Sequence, residues 1–89
     1  MKKDEFLKIL KATGYPEPIE VSQTPNAHLD HHRHPFAVQA LVIDGSIELL
    51  IDGKVQQYEV GDVFQLGYEQ VHAETYGPQG VRYIASRKY

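Results

Sequence analysis

One Asp-Gly dipeptide limits the architecture of this chain of 89 residues more than any other feature. Asp52-Gly53 separates residues 47–51 from residues 54–58, two segments rich in β-forming side chains. Asp-Gly is typical of the type I′ turn that joins two antiparallel strands. The sequence therefore predicts a β-hairpin here, and a second Asp-Gly at positions 44–45 indicates another turn of the same kind.

Most of the chain after residue 18 has the same character. Further strands are predicted at residues 36–43, 62–66, 72–76 and 81–86, with Gly77-Pro78-Gln79-Gly80 as a turn between the last two. Many short strands without intervening helices are typical of a sandwich or a barrel. We therefore predict an all-β domain over residues 19–89.

Residues 1–18 differ from this pattern and are predicted to form a helix and a linker. Phe6, Ile9 and Leu10 recur at helical spacing, and Gly14 followed by Pro16 provides a stop signal. We expect a short amphipathic α-helix that packs over the open side of the β-domain. The alternative is an arm that binds a partner.

Composition excludes several classes of function. The chain has no cysteine, so a metal site must use imidazole and oxygen ligands. The net charge is −3 and the basic residues are scattered, so we expect no nucleic-acid partner. No run approaches the roughly 18 to 20 apolar residues of a membrane span, so we expect no membrane association and a cytoplasmic location.

The size of the chain bears on its oligomeric state. A domain of 89 residues buries only about two-thirds of the surface that its unfolded chain exposes, which makes a monomer marginally stable. We therefore expect a homodimer that covers an apolar sheet face.

The histidines are distributed unevenly. Four of the five lie within residues 28–34, and the fifth, His72, lies far downstream. Alternate side chains of a strand share a face, so His32 and His34 can bind one ion together. A third ligand must come from another strand, and His72 is the histidine left to supply it. Imidazole ligands suit zinc, iron and nickel, and to a lesser degree manganese.

At this point the sequence resembles the two motifs of small single-domain cupins. The resemblance covers roughly residues 25–86. It is carried by His32-Arg33-His34, by Gly45, by the hairpin at 51–54, by Gly61-Asp62-Val63-Phe64 and by His72, eleven residues after Gly61. It implies a compact jelly-roll β-barrel preceded by the helix, with His32, His34 and His72 as metal ligands inside the barrel.

The chain departs from the family pattern at the expected glutamate of the first motif. The positions for that residue hold Val38 and Gln39. Gln39 is therefore a candidate ligand through its carbonyl oxygen, or a hydrogen-bond partner of a metal-bound water. Glu74 and Asp30 are further candidates, because each lies two residues from a proposed histidine ligand and would share its strand face.

Three other residues near the site are not predicted to be metal ligands. Tyr76, four residues after His72, would lie on the ligand-bearing face and could hydrogen-bond a substrate. His31 is predicted to face outward, and His28 to lie too far along the strand. Both are therefore predicted not to bind the metal.

Three functions fit these observations. The first is a metal-dependent enzyme, of dioxygenase, isomerase or lyase type, whose divalent ion (Zn, Fe, Ni or Mn) polarises a small oxygen-bearing substrate. The second is a non-catalytic cupin module that binds or senses a small molecule, with or without an ion. The third is an interaction protein whose histidines are incidental. Fold alone does not choose among them.

Overall fold

A computed structural model describes residues 1–89 and contains one helix followed by six strands. The elements are α1 Lys3–Ala12, β1 Ile19–Gln23, β2 His28–His32, β3 Ala37–Ile51, β4 Lys54–Glu59, β5 Val63–Leu66 and β6 His72–Lys88. The predictions of an all-β domain and of a short N-terminal helix are both confirmed. The one helix is too short and too polar to span a lipid bilayer.

Helix α1 covers one outer face of the sheet. Phe6 and Leu10, one helical turn apart, are buried against Leu41 and Ile84. Acidic residues lie in its first turn and Lys11 in its last, which complements the helix dipole. The amphipathic helix therefore buries its apolar face against the β-domain, as predicted.

Strands β3 and β6 form the centre of the sheet. All pairings are antiparallel, in the order β1-β6-β3-β4, with β2 paired to β6 and β5 paired to β3. Side chains alternate along β3: Val38, Ala40 and Val42 belong to the main core, whereas Leu41 packs against the helix. The interior of the barrel therefore lies on the Val38 side of β3.

The hairpin predicted at Asp52-Gly53 is confirmed. Ile51 pairs with Lys54, and the φ angles of Asp52 and Gly53 are 51° and 76°. Two consecutive positive φ values are the signature of a type I′ turn.

Two other predicted turns are instead bends within long strands. β3 continues through Asp44-Gly45, and β6 continues through residues 77–80. Gly45 pairs with Val81 but Ile47 pairs with Tyr76, so four residues of β6 lie opposite a single residue of β3. Such an irregularity bends the strands without ending them. The glycines here allow a sharp change of direction rather than a chain reversal.

Gly45 offers a test of this bend. Its φ is 72°, and a Cβ atom there would overlap the carbonyl oxygen of Gly80. We expect Gly45→Ala to lower the free energy of unfolding by about 3 kcal/mol or more, because backbone strain adds to a backbone clash. The control is Gly53→Ala, where φ is also positive but no atom lies within 4 Å. It should cost about 1 to 2 kcal/mol. Urea denaturation measures both variants, and equal losses of unfolding free energy in Gly45→Ala and Gly53→Ala would contradict this account of the bend.

Candidate metal centre

Three histidines and one glutamate converge where β2 meets the start of β6. His32 ends β2 and pairs with His72, the first residue of β6, while Leu29 pairs with Glu74. His34 follows in the next loop, where its carbonyl accepts a hydrogen bond from the amide of Glu69. One potential ligand atom from each of His32, His34, His72 and Glu74 lies within 4.8 Å of the others. The antiparallel pairing thus brings two distant parts of the sequence into one cluster.

Backbone carbonyls orient two of these imidazoles. Nδ1 of His32 donates to the carbonyl of Asp30 at 2.7 Å, and Nδ1 of His72 donates to the carbonyl of Gln70 at 2.9 Å. A carbonyl can only accept, so Nδ1 carries a proton in both rings. In the neutral ring Nε2 then has the lone pair that can bind a metal, whereas in the charged ring Nε2 of His72 carries a second proton and donates to Glu74. Both Nε2 atoms point into the cluster. Hydrogen bonds of this kind are typical of histidines that bind metals.

A single carboxylate oxygen lies beside both Nε2 atoms. Oε2 of Glu74 is 3.1 Å from Nε2 of His32 and 3.2 Å from Nε2 of His72. Nε2 of His32 is buried and has no partner of hydrogen-bonding geometry. Oε1 of Glu74 accepts a hydrogen bond from the hydroxyl of Tyr76 at 3.1 Å. The carboxylate is thereby held in place on both of its oxygens.

The pKa values reflect this arrangement. Burial favours protonation of Glu74, but hydrogen bonds from His72 and Tyr76 outweigh it and lower the pKa of the carboxyl group. Burial acts against the charged form of His72, but its bonds to Glu74 and the Gln70 carbonyl raise the pKa of that ring. Burial and the neighbouring histidines lower the pKa of His34. Burial and the nearby Glu74 carboxylate raise the pKa of the Tyr76 hydroxyl, which therefore stays protonated.

The cluster lies beside a cavity of about 180 Å³ in the barrel. His32, His34 and Glu74 line it on one side, together with the guanidinium-bearing Arg87. The apolar part of the wall includes Val21, Phe36, Val38, Phe64, Leu66 and Ala85. Two larger surface grooves, of about 380 and 400 Å³, lie beside the helix and near residues 44–46. Neither contains a member of the cluster, so the barrel cavity is the one with access to these ligands.

The structure brings His32, His34 and His72 together, but not Gln39. The side chain of Gln39 lies on the opposite face of β3 from Val38. There its amide nitrogen donates to the hydroxyl of Thr13 at 3.2 Å, at the end of the helix. Strand alternation explains the difference, since Val38 occupies the inward position. The carboxylate in the cluster comes from Glu74, which strand alternation from His72 indicates as a further candidate in the sequence.

The remaining polar residues of the first histidine segment lie outside the cluster. His28 hydrogen-bonds the hydroxyl of Thr75, and His31 pairs with Asp30 on the surface. The expectation that Asp30 shares a face with His32 is wrong, because its side chain is 88% exposed. The pairing of β2 with β6 shifts register between Leu29 and His32, which interrupts the alternation on which that expectation depended.

Comparison with solved structures identifies the fold. An RmlC-like cupin from Shewanella frigidimarina aligns with a TM-score of 0.67 and 20% identity, covering 81% of this chain and 66% of that chain. The Cupin_2 domain of an XRE family transcriptional regulator from Enterobacter cloacae aligns with a TM-score of 0.64 and 19% identity, covering 79% and 77%. The protein has the cupin fold.

Other comparisons mark the limits of this likeness. Oxalate decarboxylase from Bacillus subtilis, a protein with Mn(II) centres, aligns with a TM-score of 0.70 and 21% identity, covering 80% of this chain and 20% of that chain. This cupin chain therefore spans only a fifth of that enzyme and 66% of the Shewanella protein. No protein-family model matches the sequence, and no curated protein matches it significantly. The likeness lies in the fold.

The contact between Glu74 and His72 predicts a pH dependence of stability for the metal-free protein. The raised pKa of His72 stabilises the fold fully below the ordinary value of 6.5, and this contribution is lost as pH rises through the folded-state pKa. The lowered pKa of Glu74 stabilises the fold above 4.5, and this contribution is lost as pH falls through its folded-state pKa. The pair therefore contributes most between those two values.

Glu74→Gln removes this contribution. Urea denaturation of metal-free protein should show a larger stability difference between wild type and Glu74→Gln at pH 5.5 than at pH 8. A difference that stays constant from pH 5.5 to 8 would contradict the assigned interaction.

Proposed function

We propose that this protein is a metal-dependent enzyme. It binds one divalent metal ion through three histidines and one glutamate, namely His32, His34, His72 and Glu74. One observation carries the proposal. Two imidazoles, each anchored through Nδ1 by a backbone carbonyl, direct Nε2 toward the same carboxylate oxygen at the wall of a cavity. A buried nitrogen without a hydrogen-bond partner is costly, and a metal ion would satisfy it.

The donor set fits a divalent transition metal. Ligand atoms about 2.1 Å from a tetrahedral ion lie about 3.4 Å from one another. The Nε2 to Oε2 distances of 3.1 and 3.2 Å are close to that spacing. Three imidazoles and one carboxylate suit Zn, Fe, Ni or Mn. The Mn(II) centres of oxalate decarboxylase, a protein of the same fold, are consistent with this set.

The substrate we propose is a small molecule that carries oxygen. A divalent ion in this cluster would supply Lewis-acid polarisation of a carbonyl or hydroxyl oxygen. The chain's own residues perform the supporting roles. Tyr76 holds Glu74 in position, and the two carbonyls hold His32 and His72. Dioxygenase, isomerase and lyase reactions all use such a centre.

A sensing module is the second candidate. It is favoured by the likeness to the Cupin_2 domain of the XRE family regulator, of which this chain covers 77%. In that case the same cavity would bind a small molecule without turnover. Saturable binding of a compound that the metal-loaded protein leaves chemically unchanged would favour the module over the enzyme.

Metal analysis tests the ligand set. Protein grown with supplemented metals should contain close to one ion per chain, and His72→Ala and Glu74→Gln should each lose most of it, because each removes a ligand. Gln39→Ala is the matched control and should retain the metal, since Gln39 contacts Thr13 rather than the cluster. Elemental analysis measures all four proteins. Wild-type protein without near-stoichiometric metal would overturn the proposal.

We also propose that the protein is a homodimer. Several apolar side chains remain exposed at its surface, including Ile19, Leu29, Val55, Val60 and Val71. Burial of such side chains between two copies would stabilise a domain of this size. Analytical ultracentrifugation at micromolar concentration should give twice the mass of the chain. A concentration-independent monomer would contradict the proposal.

A further inference from the structure

Arg87 supplies the cavity with its one guanidinium group. This residue lies near the end of β6 and lines the cavity together with His32, His34 and Glu74. Its guanidinium carbon is 4.7 Å from the centre of the Phe36 ring, which itself stacks on the ring of His34 at 4.9 Å and 8°. A cation over an aromatic face is held in place without losing its charge or its hydrogen-bond donors.

Arg87 is exposed to solvent, and its guanidinium group forms no ion pair within the protein. Of the three arginines, Arg33 pairs with Glu69 and Arg82 pairs with Asp44, whereas Arg87 has no carboxylate within 4 Å. The carboxylate of the cavity, Glu74, is already engaged by His72 and the hydroxyl of Tyr76. A guanidinium group with free donors beside a cavity is suited to bind a carboxylate.

We infer that the ligand of this cavity is a small carboxylic acid whose carboxylate is bound by Arg87. The inference rests on the proposed function for its second contact, in which another oxygen of the same molecule reaches the metal. Apart from Gln23 and the hydroxyl of Tyr83, the rest of the wall is apolar, so the body of the molecule between these two contacts is a short hydrocarbon chain. The cavity volume of about 180 Å³ is below the range of roughly 300 to 1,000 Å³ that is usual for drug-sized ligands, so the ligand must be small.

Charge selectivity gives a direct test. The probes are 4-hydroxybutyrate and 4-hydroxybutyramide, which have the same carbon chain and terminal hydroxyl group but differ in charge. Calorimetry with metal-loaded wild-type protein should show the acid binding at least tenfold more tightly than the amide. In Arg87→Gln the acid should lose this advantage while the amide binds as before. Arg87→Lys should keep part of the preference for the acid, since the positive charge remains but the planar guanidinium group is lost.

Arg82→Gln is the matched control. It removes the same charge from the same strand at a residue that pairs with Asp44 outside the cavity, and it should bind both probes as wild type does. Far-ultraviolet circular dichroism and metal content are measured on every variant to verify the fold and the loading. Equal loss of the acid preference in both glutamine variants would overturn the inference, because it would show a general effect of net charge.

The inference and the proposed function fail in different ways. If wild-type protein takes up no metal, the proposed function fails, but the ion pair with Arg87 still predicts tighter binding of the acid by metal-free protein. If metal binds and a panel of acids of three to six carbons, each with a hydroxyl or oxo group at the end of the chain opposite the carboxylate, binds no better than the corresponding amides, the assignment of Arg87 is wrong. The assignment of Arg87 is also wrong if Arg87→Gln still binds the acid more tightly than the amide.

Discussion

The hydrogen-bonded ladders of β6 are the constraint on which the rest of the structure depends. This strand pairs with β3 along most of its length and also with β1 and β2. It carries His72, Glu74 and Tyr76 at one end and Arg87 at the other. Because side chains alternate along a strand, His72 and Glu74 lie on the same face of β6, and Glu74 lines the same cavity as His32. Any shift in this register would separate the histidines.

The cluster has an electrostatic cost that the surrounding residues reduce. Burying an ionised carboxylate is unfavourable unless it is paired and hydrogen-bonded. Glu74 meets this condition through hydrogen bonds with Tyr76 on one oxygen and with His72 on the other. The same arrangement concentrates donors for a positive ion. Here the features that make the site costly without a cation are the ones that would make it bind a cation well.

The cupin fold by itself does not determine the activity, because one barrel supports unrelated functions. Solved structures of the same fold include a regulator domain and a manganese enzyme, each under 25% identical to this chain. The local chemistry of the cavity is therefore the better guide. Its carboxylate comes from the strand that carries His72, whereas the first-motif positions hold Val38, which fills the core, and Gln39, which fastens the helix.

Local sequence signals determined the elements of this protein. The Asp52-Gly53 hairpin, the helix stop and the pairing of His32 with His34 as candidate ligands follow from short-range stereochemistry and strand alternation, which depend on neighbouring residues alone. His72 is indicated by elimination and by the resemblance to the cupin motifs. Tertiary structure decided what depends on pairing between distant segments. The bends at Gly45 and Gly80 and the exposure of Asp30 accompany register shifts, and the position of Glu74 beside His32 depends on the pairing of β2 with β6. No local pattern encodes a register shift, because it is set by how two whole strands align.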